Sequence, residues 1–282
     1  MALDFVATIY SGPNLTGISR ILAGGDSHRS DGDDGPELMG AGLWHALQSN
    51  ELSTSAFTDA NVIVFKNDDY SGPFSQATLP KGGGVAYWNC AGEIGSVYAV
   101  ATNRLGEKEI RQSARQQLEA QWISFLDQKL GGTPASREGG PAISWQAFPR
   151  DIEYLDPALV YLRITQALNI SIEWWWDYAA SMTYHLFPFI DNLGHVRVWG
   201  ARWAIWVEDG AKQGKIEQQL ASQVESGLGQ LEAQVNAKLA ALDGFGALRE
   251  VYMLPGNQVG ATGAIGTFNG DTNDDATIVV VL

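Results

Sequence analysis

Three positions recur along the first third of this chain at one fixed offset. Tyr10 and Phe65, Leu15 and Tyr70, and Gly17 and Gly72 are each separated by 55 residues. They lie in two segments of one pattern, Ala7-Thr8-Ile9-Tyr10-Ser11-Gly12-Pro13-Asn14-Leu15-Thr16-Gly17 and Val62-Ile63-Val64-Phe65-Lys66-Asn67-Asp68-Asp69-Tyr70-Ser71-Gly72. An offset held over three positions marks an internal repeat of two copies. Each copy reads as a hairpin: an apolar strand, a turn supplied by Gly-Pro or Asn-Asp-Asp, then a large apolar side chain and a glycine. Glycine adopts positive φ without a Cβ clash, so the chain can fold back over its own hairpin there. A repeat whose unit is a strand pair commits this part of the chain to β-sheet.

Each hairpin is followed by a tryptophan and a polar turn that runs into another strand. In the first copy these are Trp44 and Asn50-Glu51-Leu52-Ser53-Thr54-Ser55-Ala56-Phe57; in the second they are Trp88 and Ala91-Gly92-Glu93-Ile94-Gly95-Ser96-Val97-Tyr98. With Ser55 aligned on Ser96, Tyr10 to Ser55 spans 45 residues and Phe65 to Ser96 spans 31, so the first copy is longer by 14. The charged, glycine-rich residues 26–37 are the expected insertion, as a solvated loop. Residues 4–100 resemble the βγ-crystallin family. Its Greek-key motif has an aromatic, four residues, a second aromatic, one residue and a glycine, with a serine further on. Its microbial members carry an Asn/Asp-Asn/Asp-x-x-Ser/Thr-Ser calcium loop. Phe65, Tyr70 and Gly72 match the hairpin, and Tyr10, Leu15 and Gly17 match it with leucine for the second aromatic. Asn50, Glu51, Thr54 and Ser55 match the calcium loop, with glutamate at its second position. The resemblance implies calcium held by loop carbonyls and the Thr54 hydroxyl, which are hard oxygen donors of the kind this cation takes. In the second copy Ala91-Gly92 replace the acidic pair and Gly95 stands at the hydroxyl position, which implies one site instead of two. Lys66 stands where calcium-binding members often carry an acid.

Residues 103–107 read as a junction. Beyond it Ile110, Ala114, Leu118, Trp122, Phe125, Leu126 and Leu130 recur at helical spacing and stop at Gly131-Gly132. Residues 133–141 read as a Gly/Pro-rich loop. Residues 143–149 and 158–207 read as strands. Val160, Leu162 and Ile164 alternate, as do Ile170, Ile172, Trp174 and Trp176, and Val196 and Val198; Asp191-Asn192-Leu193-Gly194 has hairpin-turn chemistry. Ile216, Leu220, Val224, Leu228, Leu231, Val235, Leu239 and Leu242 then follow at a mean spacing of about 3.7, one apolar stripe along a long helix. Gly227 and Gly229 fall inside the stripe and mark a bend or a close approach, and Gly244 stops it. The spacing exceeds the 3.5 of a heptad seam, so packing on a sheet is expected in place of a coiled coil. Strands are expected around 248–253 and over 277–282.

This order of elements resembles the TULIP superfamily of tubular lipid-binding proteins, in which a long helix lies along a strongly curved sheet. The likeness rests on residues 170–242, chiefly Ile170-Ser171-Ile172-Glu173-Trp174-Trp175-Trp176-Asp177 and Trp203-Ala204-Ile205-Trp206-Val207-Glu208-Asp209-Gly210. It is a likeness of pattern without a diagnostic motif, and it implies a lipid or other apolar ligand in a groove between helix and sheet. Seven of the ten tryptophans, Trp145, Trp174, Trp175, Trp176, Trp199, Trp203 and Trp206, fall within 62 residues. On a strand, Trp174 and Trp176 share a face and Trp175 takes the other, so one ring leaves the core unless both faces are covered. Trp174, Trp175, Trp176, Trp199, Trp203 and Trp206 are therefore the expected contacts to an apolar ligand or a membrane surface. The competing expectation is that helices cover both faces and all are core.

The composition, 45% hydrophobic and 18% charged over 282 residues, is globular and long enough for two domains. A net charge of −14 argues against a nucleic-acid partner, because phosphate binding runs on Lys and Arg. No apolar run approaches the length of a membrane-spanning helix, and Met1-Ala2-Leu3-Asp4-Phe5 lacks a signal-peptide pattern, so a cytoplasmic protein or one released by a non-classical route is expected. Cys90 is the sole cysteine and allows no internal disulfide or cysteine zinc cluster. His28, His45, His185 and His195 have no metal-pair spacing, and no Gly-x-Ser-x-Gly elbow or phosphate-binding glycine loop is present. Asp271-Thr272-Asn273-Asp274-Asp275 begins like an EF-hand loop, but Ala276 stands at the glycine position and no glutamate closes it.

The fold expectation is multidomain: an all-β Greek-key sandwich over 1–103 and, over 104–282, an α+β domain with a curved antiparallel sheet and a long amphipathic helix. The function expected is non-enzymatic. A calcium-stabilised crystallin-type module is joined to a domain that binds a lipid, another apolar ligand or a membrane surface. The alternative is an insecticidal or pore-forming toxin acting on membranes, although the long Ser/Thr-rich hairpin such a protein refolds is not evident.

Overall fold

The two hairpins of the repeat become two antiparallel sheets that exchange a strand. The structure, a computed structural model, describes residues 5–23, 27–29, 49–67, 70–102, 109–147, 160–172, 177–258, 268, 270–273 and 275–282. The first copy supplies β1 (Phe5–Gly12), β2 (Thr16–Ala23), β3 (Ser27–Arg29) and β4 (Ser53–Ala56). The second supplies β5 (Ala60–Phe65), β6 (Pro73–Leu79), β7 (Gly84–Val85) and β8 (Ser96–Ala101). β1 lies between β2 and β4, as β5 lies between β6 and β8, and the third strand of each copy crosses over: β7 extends β4 and β3 extends β8. Residues 27–29 of the expected insertion loop are thus strand, because β8 offers them an open edge; Trp44 and the rest of that insertion lie outside the described residues.

Register corrects the alignment of the two copies. Tyr10 stands opposite Ser53, and Phe65 stands opposite Ser96. Ser53, not Ser55, is therefore the equivalent of Ser96, and the copies differ by 12 residues, not 14. The physical reason is the folded hairpin. Leu15 and Tyr70 sit at φ 63° and 59°, and Gly17 and Gly72 at 86° and 72°, so both copies turn through the left-handed region at the same places. Each turn leaves backbone groups that one serine satisfies. Ser53 Oγ accepts from the Leu15 N–H at 2.9 Å and donates to the Gly12 carbonyl at 2.5 Å. Ser96 Oγ accepts from the Tyr70 N–H at 3.2 Å and donates to the Asn67 carbonyl at 2.7 Å.

The rest of the chain supplies β9 (Glu109–Ser113), α1 (Ala114–Leu130), β10 (Ala135–Ala147), β11 (Val160–Ile170), β12 (Tyr178–Ile190), β13 (Val196–Val207), α2 (Gln213–Glu225), α3 (Leu228–Leu239), β14 (Glu250–Pro255), β15 (Gly270–Asp271) and β16 (Ala276–Val281). β10 to β13 form a sequential antiparallel meander, and β14, β16 and β9 form a three-stranded sheet. Three expectations change here. The first helix begins at Ala114; Ile110 belongs to β9 and pairs with Val280. Ser113 ends the strand by capping the helix through the Gln116 N–H, and the buried Asp275 carboxylate accepts from the Ser113 hydroxyl at 2.5 Å and the Arg115 N–H at 3.0 Å. Residues 135–141, expected as loop, belong to β10: its pairing with β11 breaks between Glu138 and Ala142, so Gly139-Gly140-Pro141 are absorbed as a bulge. The long stripe is continuous and wholly buried, but it divides between α2 and α3. α1 crosses at Gly227 so closely that a Cβ there would lie 2.2 Å from Lys129 Cε and 2.7 Å from Phe125 Cε2.

The molecule is therefore mostly antiparallel β-sheet, with three α-helices among the described residues. Val62 and Val64 of β5 face Ile9, Leu52 and Trp88 between the first two sheets. Ile63 and Phe65 face the other way, into the core built on the meander and helices. Trp145 fills that contact: its ring stacks on Phe65 at 5.1 Å and meets Tyr98 edge-on at 5.4 Å, and its Nε1 donates to the Met253 carbonyl at 3.3 Å. β15 pairs with β6, and Gln76 Nε2 donates to Gln258 Oε1 at 2.8 Å. The expected junction at 103–107 lies outside the described residues. Trp145→Ala removes a fully buried indole and is expected to cost about 3–5 kcal/mol, with Trp145→Phe costing less. Urea unfolding monitored by far-ultraviolet circular dichroism measures both.

Candidate functional site

Of the four residues expected to bind calcium, Asn50 and Glu51 precede β4 and Thr54 and Ser55 belong to it. Asn50 and Glu51 lie exposed on the turn, while Thr54 is fully buried with its Oγ1 accepting from the Trp88 indole N–H at 2.9 Å. Ser55 is half-buried, 3.3 Å from the Tyr10 hydroxyl. The positions just before Ser53 and Ser96 are Leu52 and Gly95, neither of which carries a hydroxyl. Lys66 is engaged by Glu93 at 2.9 Å. At the other acidic run, Asp271 accepts from the Asn273 N–H and Asp275 caps α1, so both carboxylates serve local structure; Asp274 lies outside the described residues. Among the described residues no three His, Cys, Asp or Glu side chains gather as metal ligands, which does not bear on a site made of carbonyls and hydroxyls.

The tryptophans separate by face. Trp174, Trp175 and Trp176 lie outside the described residues. Trp145 is interior, and Trp203 packs half-buried on the helix side of the meander, opposite Tyr184. Trp199 and Trp206 lie on the other side, 57% and 55% exposed. Seven residues apart, they would occupy opposite faces of a regular strand. Between the pairs His185–Arg202 and Leu186–Gly200 β13 carries one extra residue, which resets the alternation and turns both rings outward. No periodicity count detects that bulge. Trp199 then meets Phe187, at 5.9 Å, and Phe187 meets Tyr161 at 5.2 Å.

A feature that sequence patterns did not locate is a cleft of about 200 Å³, of mixed polar and apolar lining, between α2 and the near ends of β10 and β11. Pro134, Ala135, Ile170 and Ile172 form the sheet side, Ile216 and Leu220 the helix side, and Thr133, Gln219 and Gln223 add polar groups. None of its lining residues is ionisable, so these walls offer no acid, base or charged nucleophile. The volume is below that of drug-sized pockets. The chain matches no protein-family model, and no curated protein matches its sequence.

At the far end of the meander, polar groups brace the β12–β13 turn. Asp191 Oδ1 accepts from the Leu193 and His195 N–H groups, both at 2.9 Å, and Arg197 grips Asp243 at 3.0 and 2.8 Å. His195 Nδ1 lies 3.6 Å from Asp191 and 3.9 Å from Asp243. The His195 backbone N–H, first, holds the Asp191 carboxyl below its usual range, and the Arg197 guanidinium does the same for Asp243. A carboxyl whose folded pKa is depressed stabilises fully above its unfolded pKa, and that contribution is lost as pH falls through the folded value. Thermal melts are therefore expected to lose stability below about pH 4, and Asp243→Asn is expected to flatten that slope. A variant with an unchanged acid limb would remove these groups as its cause.

Proposed function

We propose that this chain is a non-enzymatic binding protein. Residues 1–103 act as a βγ-crystallin-type Greek-key module, and residues 104–282 act as an α+β domain that takes the apolar end of a lipid, or of a similar long molecule, between helix and sheet in the manner of the TULIP proteins. The first half of this reading is supported by the strand orders β2-β1-β4-β7 and β6-β5-β8-β3, in which each copy lends its third strand to the other sheet. The second half is carried by one observation, the cleft walled by Ile170, Ile172, Ile216 and Leu220. Lining without ionisable groups favours binding over catalysis.

Native mass spectrometry of protein purified from cells tests the ligand. A bound apolar mass is expected on the wild type and not on Leu220→Trp, whose ring would fill the cleft. Displacement of a fluorescent fatty acid gives the same comparison in solution. A chain that carries no such mass and binds no fatty acid ends the reading. The toxin alternative has the exposed Trp199 and Trp206 in its favour. Dye release from liposomes supports it, whereas lipid extraction without release supports the carrier.

Calcium enters the reading as a stabiliser of the first module through binding to the native state alone, by RT ln(1 + [Ca]/Kd). With Thr54 turned to Trp88, the donors near the turn are backbone carbonyls and the exposed Asn50 and Glu51. A higher melting temperature in calcium than in chelator is expected. Coincident melts would remove calcium from the reading.

A further inference from the structure

Among the described residues β2 is the one long strand edge that nothing covers or interrupts. The other sheet edges are each blunted. β7 and β15 are two residues long and β3 is three. β10 is broken by its bulge at Gly139-Gly140-Pro141, and β14 ends in the buried Pro255. β9 carries Glu109 and Arg111, and β13 has Val198 and Gly200 bonded by Asn236 and Glu232. β2 runs eight residues without a proline or an acid, and it is exposed from Thr16 to Ile21. Ile18 and Ile21 are 52% and 46% exposed.

Register shows which of its backbone groups are free. The Phe57 N–H donates to the Val6 carbonyl at 2.8 Å, so Val6, Thr8 and Tyr10 turn their peptide groups to β4, and Ala7 and Ile9 turn theirs to β2. Ile9 stands opposite Arg20 and Ala7 opposite Leu22. Arg20 and Leu22 therefore face β1 with their N–H and C=O groups, while Ser19, Ile21 and Ala23 point theirs away from the sheet. The Ile18 N–H, on Ser11 Oγ at 2.8 Å, follows the same alternation. An extended strand is what matches a row of free N–H and C=O groups at this spacing.

The row itself selects a second copy as that strand. Ser19 to Ala23 is symmetric about Ile21, so a two-fold axis there pairs Ile21 with its own counterpart and Ser19 with Ala23. An axis through Arg20 would set two arginines directly opposite. An axis through Ser19 would run the ladder into the irregularity between Ser19 and Thr16. About Ile21, Arg20 stands opposite Leu22 and two β-branched side chains meet at the centre. Charge allows the approach: the chain carries −14, but the single charge on β2 is Arg20. We infer that the chain forms a two-fold dimer in which β2 pairs antiparallel with β2 of a second copy, joining two four-stranded sheets into one. The other edge of that sheet is the two-residue β7, so the assembly closes at two copies. This contact is separate from the cleft and does not rest on the ligand proposed above.

Analytical ultracentrifugation of the full chain over a concentration series tests it, with a reversible dimer expected. Ile21→Lys sets like charges across the axis and is expected to raise the dissociation constant about tenfold or more. Ile21→Cys is expected to give a covalent dimer on mild oxidation, because hydrogen-bonded antiparallel partners lie about 5.5 Å apart at Cα, within disulfide reach. Ser19→Cys, opposite Ala23, is expected not to. The wild type is the control, since its Cys90 is buried. Ile21 is exposed, so both variants at that position are expected to melt with the wild type; should Ile21→Lys not, capture through Ile21→Cys carries the test. A monomer at every concentration, an Ile21→Lys dimer as tight as the wild type, or capture of Ser19→Cys in preference to Ile21→Cys overturns the inference.

Discussion

The packing of Trp145 face-on against Phe65 and edge-on against Tyr98 is the contact on which the rest of this structure depends. It joins a residue of the meander's first strand to the outer face of a sheet whose inner face is already buried against its partner. β5 is consequently covered on both sides, and that is why Ala60-Asn61-Val62-Ile63-Val64-Phe65 carries no exposed residue at all. Beyond the area removed from water, each well-placed ring pair contributes about 0.5–1.5 kcal/mol. The Trp145 N–H adds a bond to Met253, and β15 and Gln258 reach back to β6 and Gln76. These long-range links make the two halves one packed body although their patterns in sequence are unrelated.

Much of this was legible in the sequence, and the failures have identifiable causes. The offset of 55 between the hairpins survives because each aromatic and glycine has a fixed task in the folded turn. The serine equivalence slipped because Ser53, Thr54 and Ser55 are consecutive hydroxyls, and only the backbone groups they face distinguish them. Thr54, the hydroxyl that the resemblance assigns to calcium, accepts from the indole of Trp88. The stripe from Ile216 to Leu242 was plain, because burial on a helix writes its own period. Its interruption at Gly227 depended on where α1 crosses, which no local pattern encodes. Ile110 continued the helical spacing by coincidence; the polar Glu109 and Arg111 on either side of it mark the strand edge it occupies.

Bulges explain the remaining differences, and each leaves a polar trace. At Gly139 the ladder between β10 and β11 breaks and frees carbonyls inside the sheet. Gln166, the one polar residue in the inward series Leu162, Ile164, Gln166, Leu168 and Ile170, is fully buried and donates to the Glu138 and Gly139 carbonyls at 3.1 and 3.2 Å. An amide on the apolar face is thus the mark of the bulge opposite it. In β13 the extra residue comes where the strand is an edge. There Asn236 of α3 bonds both the N–H and the carbonyl of Val198, and Glu232 accepts from the Gly200 N–H. Side chains from a helix thus take the place of a fifth strand at Val198 and Gly200.

These ties also bear on where the cleft can grow. A groove running the length of the sheet would require both α2 and α3 to lift from β13. α3 is tied to the strand by Asn236 and Glu232, and the 3-10 segment after it is tied by the Arg197–Asp243 fork. α2 has one comparable tie among the described residues, Gln213 to the Val207 carbonyl at 3.3 Å, at the helix end remote from α3. The cleft lies under α2 and not under α3, and the two helices meet at a glycine. Under the proposed lipid-binding reading, enlargement of the cleft would fall on α2, which has fewer ties to β13 than α3 has. A ligand longer than the present volume would have to displace Leu220 and Ile216 together, and so would replace their mutual burial with its own.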